Sequence, residues 1–374
     1  MLSFQQKISS LFANINIYPY NTFKMEIKRK YHIDVLRILA CFAVIFNHFD
    51  PGFFIFSQKQ HGTIAYWILL ALSVFCKFAV PIFFMITGAL LLKKDESIST
   101  LYKKRVRKIA LVLLVTSLVY YFFEKYAINN ANLGISTIYT GETEYHLWYL
   151  YSYLALLMSL PFLRSIAKDL TKNKIIYLFV LYITIRYFIP LVQLLLFSNN
   201  YRMNGYISGI FTCADIFFLP LMGYFIENKL NKKLSRNQLL VIWGSNILSL
   251  ILSIYATNLA NNTPTASVDQ SYISLFSSTN AIAIYLTVKN VDFNKISNKI
   301  LKALLHLSSC TFGIYLVHLL FMRIVITSTR VEFYYELTTI MQIACWFAIS
   351  LLIMAISYLI IALAKKMPVL KKYI

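Results

Sequence analysis

Asp34, Arg37, Cys41 and His48 stand close together in an otherwise apolar run. Ionisable side chains in such surroundings are costly, so those that occur usually face a polar cavity and act there. At 100° per residue, the step from Arg37 to His48 closes about three helical turns, which puts both on one face. Cys41 continues that stripe, and a rise of 1.5 Å per residue places His48 about 16 Å beyond Arg37. An imidazole titrates near neutrality, so His48 can take a proton from a hydroxyl nucleophile. Asn47 and Asp50 beside it could orient or charge the ring. A lone arginine near a helix end would snorkel to the headgroups, but the alignment with His48 argues for a cavity. For His48 the plain alternatives are a hydrogen bond between packed helices or a place at the outer interface.

Other candidates carry weaker signals. His146 precedes Trp148 and Tyr149, so an interfacial aromatic belt would account for it without chemistry. Arg186 and Asp215 are expected near the middles of two spans, where opposite charges at depth pair. His318 is expected in the outer half of a late span, with a structural hydrogen bond as the plainer role. Lys103, Lys104, Arg105, Arg107 and Lys108 read as a basic loop that signals topology and could attract phosphates through charge-assisted hydrogen bonds. Glu142 and Glu144 read as solvated loop acids, and Lys77 and His306 are left unassigned. The five cysteines lie in apolar runs without CxxC or metal-like spacing. They read as small core residues, and no metal is expected.

The elements that must hold these residues are membrane helices. Of 374 residues, 59% are hydrophobic and only 14% charged, about half the charge that a water-facing surface of this size requires. The 27 Tyr and 29 Phe suit lipid and headgroup contact. Ten stretches can each cross a bilayer, at 33–55, 66–92, 108–126, 146–163, 174–196, 207–227, 238–258, 270–289, 303–326 and 337–364. Pro81 is expected to kink the second of them. The net charge of +21 would suit a nucleic-acid binder, but the positions of the charges decide against it. Twenty-eight of the 36 Lys and Arg fall in the N-terminal segment, the C-terminal tail and every second loop. That asymmetry predicts an all-α integral membrane protein of about ten helices with both termini in the cytoplasm. Residues 1–30 form a cytoplasmic extension, 31–364 the membrane domain and 365–374 a basic cytoplasmic tail. The first 24 residues lack the pattern of a cleaved signal, and Met25 reads as an internal start that makes them dispensable. The Asn-rich stretch 258–263 reads as an external loop.

Tyr31-His32-Ile33-Asp34-Val35-Leu36-Arg37, with His48 after ten further residues, resembles the opening motif of the membrane acyltransferase-3 family. Residues 79–92 are similar to the family's Pro-aromatic-Gly second helix, followed by a basic stretch, here Tyr102 to Ile109. His146 to Leu150, Phe217 to Gly223 and Thr311 to His318 with Tyr315 extend the resemblance, in the family's order, over residues 31–320. It implies a ten-helix fold that moves an acyl group from cytoplasmic acyl-coenzyme A to an extracytoplasmic acceptor, often a polysaccharide. It makes His48 the catalytic base, with Arg37 supporting the donor, and Lys104, Arg105, Arg107 and Lys108 candidates for the coenzyme end. Asp34, Asn47, His146, Trp148, Arg186, Asp215, Tyr315 and His318 are the candidate acceptor-site or supporting residues.

The resulting expectation is an O-acyltransferase, with acetyl the expected group, of a bacterial cytoplasmic membrane. Its partners are the lipid bilayer, acyl-coenzyme A as a donor substrate rather than a resident cofactor, and a cell-surface carbohydrate, with no nucleic acid. The competing reading is an exporter of polysaccharide or a small molecule, since transporters also line helices with buried charge. Two halves with matching broken helices would favour the exporter, and none is evident in the sequence.

Overall fold

A computed structural model describes residues 29–48, 62–128, 134–197, 203–230, 232–261, 274–328 and 336–374. The N-terminal extension up to residue 28, including Met25, and Asp50 beside His48 lie outside the described residues. Among the described residues the regular structure is entirely helical. Helix α1 spans Tyr31–His48, α2 Ile64–Cys76 and α3 Ala79–Leu91. Helix α4 covers Ile98–Ala127, with two wide π turns. A 3-10 turn at Tyr145–Leu147 leads into α5, Trp148–Lys168. Then follow α6 at Lys172–Phe197, α7 at Asp215–Asn228, α8 at Arg236–Asn261 and α9 at Ser277–Asn290. Helix α10 is Asn298–Ser328 and α11 is Thr339–Ala364.

With α2 and α3 taken as one span, eight of these are long and apolar enough to cross a membrane, which makes this a multi-pass membrane protein. Their outward faces carry the large apolar side chains expected of lipid contact, such as Leu114 and Val119 on α4, Val241 and Leu248 on α8, and Leu351 and Leu359 on α11. The expected spans at 207–227 and 270–289 are met differently. Helices α7 and α9 have 14 residues each, about 21 Å, which is short of a hydrocarbon core of about 30 Å. Irregular chain precedes both: Ala214 is extended before α7, and Phe276 takes a left-handed conformation (φ 58°) before α9. Asp215 therefore opens a helix rather than sitting in the middle of one.

Three other expectations shift. The second span breaks at Lys77–Phe78 between α2 and α3, one turn before Pro81. The missing proline N–H is the one that would have reached the Lys77 carbonyl, so the break falls where the ladder loses a rung. The basic stretch 103–108 is helix rather than loop. The Ser97 hydroxyl accepts from the Thr100 amide and starts α4 at Ile98, so the cations project from its first turns. The asparagines at 258 and 261 belong to the end of α8, and 262–273 lies outside the described residues. The tail carries a short helix, Pro368–Tyr373.

Two glycines set the closest crossing of the bundle. A Cβ on Gly88 of α3 would run into the Pro220 backbone of α7, and one on Gly223 would run into the Met85 backbone. Small residues that let backbones touch are how membrane helices gain packing energy where lipid offers no hydrophobic drive. At one end of the bundle, Glu96 ties three elements together. It takes Nη2 of Arg164 from α5 at 2.6 Å and Nε of Arg105 from α4 at 3.1 Å, while Arg164 Nε also donates to the Leu91 carbonyl that ends α3. Burial works against the charge of Glu96, but the two arginines hold its carboxyl below the usual range.

Candidate active site

Helices α1 and α10 lie side by side, and three contacts run up the seam. The Ser308 hydroxyl donates to Asp34 at 2.7 Å, Cys41 Sγ lies 3.7 Å from the Thr311 carbonyl, and His48 Nδ1 meets His318 Nε2 at 2.9 Å. The stripe read from the sequence thus faces a neighbouring helix. Arg37 leans on Asp34 at 3.5 Å and is about one-third exposed.

The tautomers follow from the hydrogen bonds. His318 Nδ1 lies 2.7 Å from the Tyr315 carbonyl, which can only accept, so that nitrogen carries the proton. With both imidazoles neutral, His318 Nε2 is then an acceptor and His48 Nδ1 donates to it. Among the described residues nothing hydrogen-bonds His48 Nε2, which keeps a bare lone pair, as a general base needs. The two rings stack at 5.2 Å, and Tyr145 stands edge-on to His48 at 5.0 Å.

His146 lies in the 3-10 turn and is buried, not interfacial as an aromatic belt would require. Its ring sits 6.3 Å from His48 and 5.3 Å from His318. The Leu316 backbone lies close to it, but among the described residues no hydrogen bond of normal geometry reaches either ring nitrogen. Its own carbonyl accepts from the Tyr315 hydroxyl at 2.6 Å, and the Tyr120 hydroxyl donates to the Leu316 carbonyl at 3.0 Å. Just before this turn Glu144 is buried and paired with Arg323 of α10 at 3.2 Å, so it is not the solvated acid expected. Glu142 is exposed.

A ladder of rings joins the histidines to Arg37. Tyr153 stacks on Tyr149 at 5.8 Å, Tyr149 meets Tyr315 at 5.6 Å, and Tyr315 meets His146 at 5.3 Å. Arg37 acts electrostatically on Tyr149, Tyr153 and Tyr285, and Arg105 acts on the same Tyr153. The start of the α4 basic stretch and the Arg37 end of α1 therefore converge. Lys104 and Arg107 are exposed and Lys108 is half-buried, while Arg105 is partly committed to Glu96.

Beside the ladder is a cavity of about 300 Å³ lined by Phe84, Trp148, Ser152, Arg186, Cys213 and Asp215. Arg186 lies 3.8 Å from Asp215, both partly exposed to it. Asp215 is held by Tyr182 at 2.6 Å, Tyr182 by Tyr187 at 3.0 Å, and Tyr187 by Ser278 at 2.8 Å. Phe84 packs against Tyr149 at 5.3 Å, so one ring separates the cavity from the ladder.

A family model described as an acyltransferase domain, that of acyltransferase-3, matches residues 30–362. The chain belongs to the acyltransferase-3 family. No curated protein and no solved structure matches it. As a membrane acyltransferase of this family, it brings His48, His146, His318 and Tyr315 into one cluster, Arg37 and Asp34 to the opposite end of α1, and Trp148, Arg186 and Asp215 around the cavity. Asn47 does not join them: its side chain accepts from Ser73 of α2 at 2.8 Å and fastens α1 to that helix. Tyr153 of the ladder is absent from the sequence reading, and Tyr149 enters it only as part of an aromatic belt and of the stretch His146 to Leu150. Their i, i+4 spacing at the start of α5 was the available signal, and it looks like any aromatic belt. Nothing local marks Glu96 and Arg164 as partners, because they meet across α5 and the turn after α3.

Proposed function

We propose that this acyltransferase moves an acyl group, acetyl in the first instance, from acyl-coenzyme A to a hydroxyl of an extracytoplasmic carbohydrate, with His48 as general base. The observation that carries this reading is the bare Nε2 of His48 at one end of a ring ladder whose other end meets Arg37 and Arg105. The coenzyme phosphates engage the cations at the start of α4, with Lys104, Arg107 and Lys108 still unpaired to any described acid. The thioester arm then extends along the rings. The rise of about 16 Å between Arg37 and His48 is comparable with the reach of an extended pantetheine. His48 Nε2 takes the proton of the acceptor hydroxyl as its oxygen adds to the thioester carbonyl, and the departing thiolate receives that proton. The cavity at Trp148, Arg186 and Asp215 holds the acceptor, since an aromatic face beside a cation and a carboxylate suits a polyhydroxylated ring. The positive-inside charge pattern supports a cytoplasmic basic end and cytoplasmic termini, and a ten-span topology would take α7 and α9, with the chain leading into them, as the sixth and eighth crossings.

The test is transfer by purified protein in proteoliposomes given labelled acetyl-coenzyme A, alongside mass spectrometry of surface glycans from cells with and without the protein. His48→Ala is expected to abolish label transfer and glycan acylation while the protein remains folded. Undiminished transfer by that variant would remove His48 from the chemistry, and an unchanged glycan profile would remove the carbohydrate acceptor.

A further inference from the structure

The break between α2 and α3 is built rather than tolerated. Asn280 of α9 donates to the Phe75 carbonyl at 2.5 Å, and Asn246 of α8 donates to Asn280 at 3.0 Å. The Asn280 amide thus satisfies a backbone carbonyl in the apolar interior, and Asn246 of a second helix holds that amide in place. At the centre of the break stands Lys77, half-buried and midway along the span. No hydrogen bond or ion pair reaches its ammonium from the described residues. The other cations deep in the helices do have partners: Arg37 has Asp34, Arg186 has Asp215 and Arg323 has Glu144. A charged group this far from either boundary is costly and is usually retained for function.

Its position is informative. Ser73, one turn earlier on the same face of α2, donates to Asn47, the residue before His48. Lys77 lies close enough to His48 for the two side chains to interact electrostatically. It therefore stands one helical turn from the Asn47 contact, on the Arg37 side of His48.

We propose that Lys77 is the oxyanion-stabilising residue of the transfer, an inference that rests on the acyl-transfer reading of the site. As the acceptor oxygen bonds to the thioester carbon and its proton passes to His48 Nε2, the carbonyl π electrons move onto oxygen. The Lys77 ammonium donates to that oxyanion. When the intermediate collapses the C–S bond breaks, the carbonyl re-forms, and the thiolate takes the proton from His48. A cation at developing charge in a water-poor site stabilises the transition state more than the neutral thioester, so its removal is felt in turnover rather than in binding.

The full-length protein in proteoliposomes, assayed by thiol release from acetyl-coenzyme A, tests this. Lys77→Met keeps the length of the side chain and removes the charge. Its kcat is expected to fall on the order of 10²-fold or more, with KM for acetyl-coenzyme A within about threefold. Lys77→Arg is expected to recover part of the loss, and Lys77→Gln, a neutral donor, takes the place of Lys77→Met if the latter does not fold. Turnover within threefold of the parent in the neutral variant, or a loss confined to KM, overturns the proposal. If His48→Ala is inactive and Lys77→Met is not, only the Lys77 role falls; if His48→Ala is active, the acyl-transfer reading falls with it.

Discussion

A single pair of hydrogen bonds fixes which nitrogen of His48 is available, and it is set from α10. The Tyr315 carbonyl holds the proton on His318 Nδ1, and the bare Nε2 of His318 holds the proton on His48 Nδ1. His318→Leu should leave His48 free to adopt the wrong tautomer. Turnover is expected to drop on the order of 10²-fold, the scale of general-base catalysis, with donor KM little changed. His318→Gln places an amide oxygen where Nε2 stood and should retain more activity than His318→Leu. Equal losses in the two variants would mean that His318 fills space and does not orient the base. That Arg37 and His48 share a face was legible, because an 11-residue step on a helix leaves little choice of face. The role of Asn47 was not, since adjacency in sequence turns a side chain by 100° and pointed it at Ser73.

Among the elements, the α3–α7 crossing positions the cavity, since Phe84 lies on α3 and Asp215 opens α7. The glycines at this crossing belong to the two stretches noted in the sequence, 79–92 and 217–223, yet the reason for them is a contact between helices far apart in the chain. Gly88→Ala would drive a methyl into the Pro220 backbone, and overpacking without room to relax costs about 3 kcal/mol or more. The expected outcome is a sharp fall in monodisperse protein by size-exclusion chromatography in detergent. By contrast Gly141→Ala, with nothing near a new Cβ, should behave as the parent. A normal yield of Gly88→Ala would mean that the two helices can separate at little cost. Helix existence was readable from apolar length. The half-length of α7 and α9 was not, because an apolar run does not state where its chain is extended.

For the whole molecule, cations gather at alternate connections, and the histidine cluster lies at the other end of the bundle. Orientation can be read with single cysteines introduced on a cysteine-free background. Glu142→Cys, exposed near the histidines, should react with a membrane-impermeant maleimide in intact cells. Lys232→Cys, exposed between α7 and α8, should react only after permeabilisation. The reverse pattern would invert the proposed path from donor to acceptor.

The sequence by itself determined that the chain lives in a bilayer, how its charges divide between loops, and that a guanidinium and an imidazole share one side of α1. Each of these is a property of composition or of helical period, and both are local. Only the tertiary structure decided that His318 orients His48, that Tyr149 and Tyr153 connect the two ends of the site, and that Lys77 has no ion-pair partner among the described residues. These depend on which helix packs against which. In lipid that choice is made by small-residue contacts and buried hydrogen bonds spread over distant segments, and no pattern within one helix encodes it.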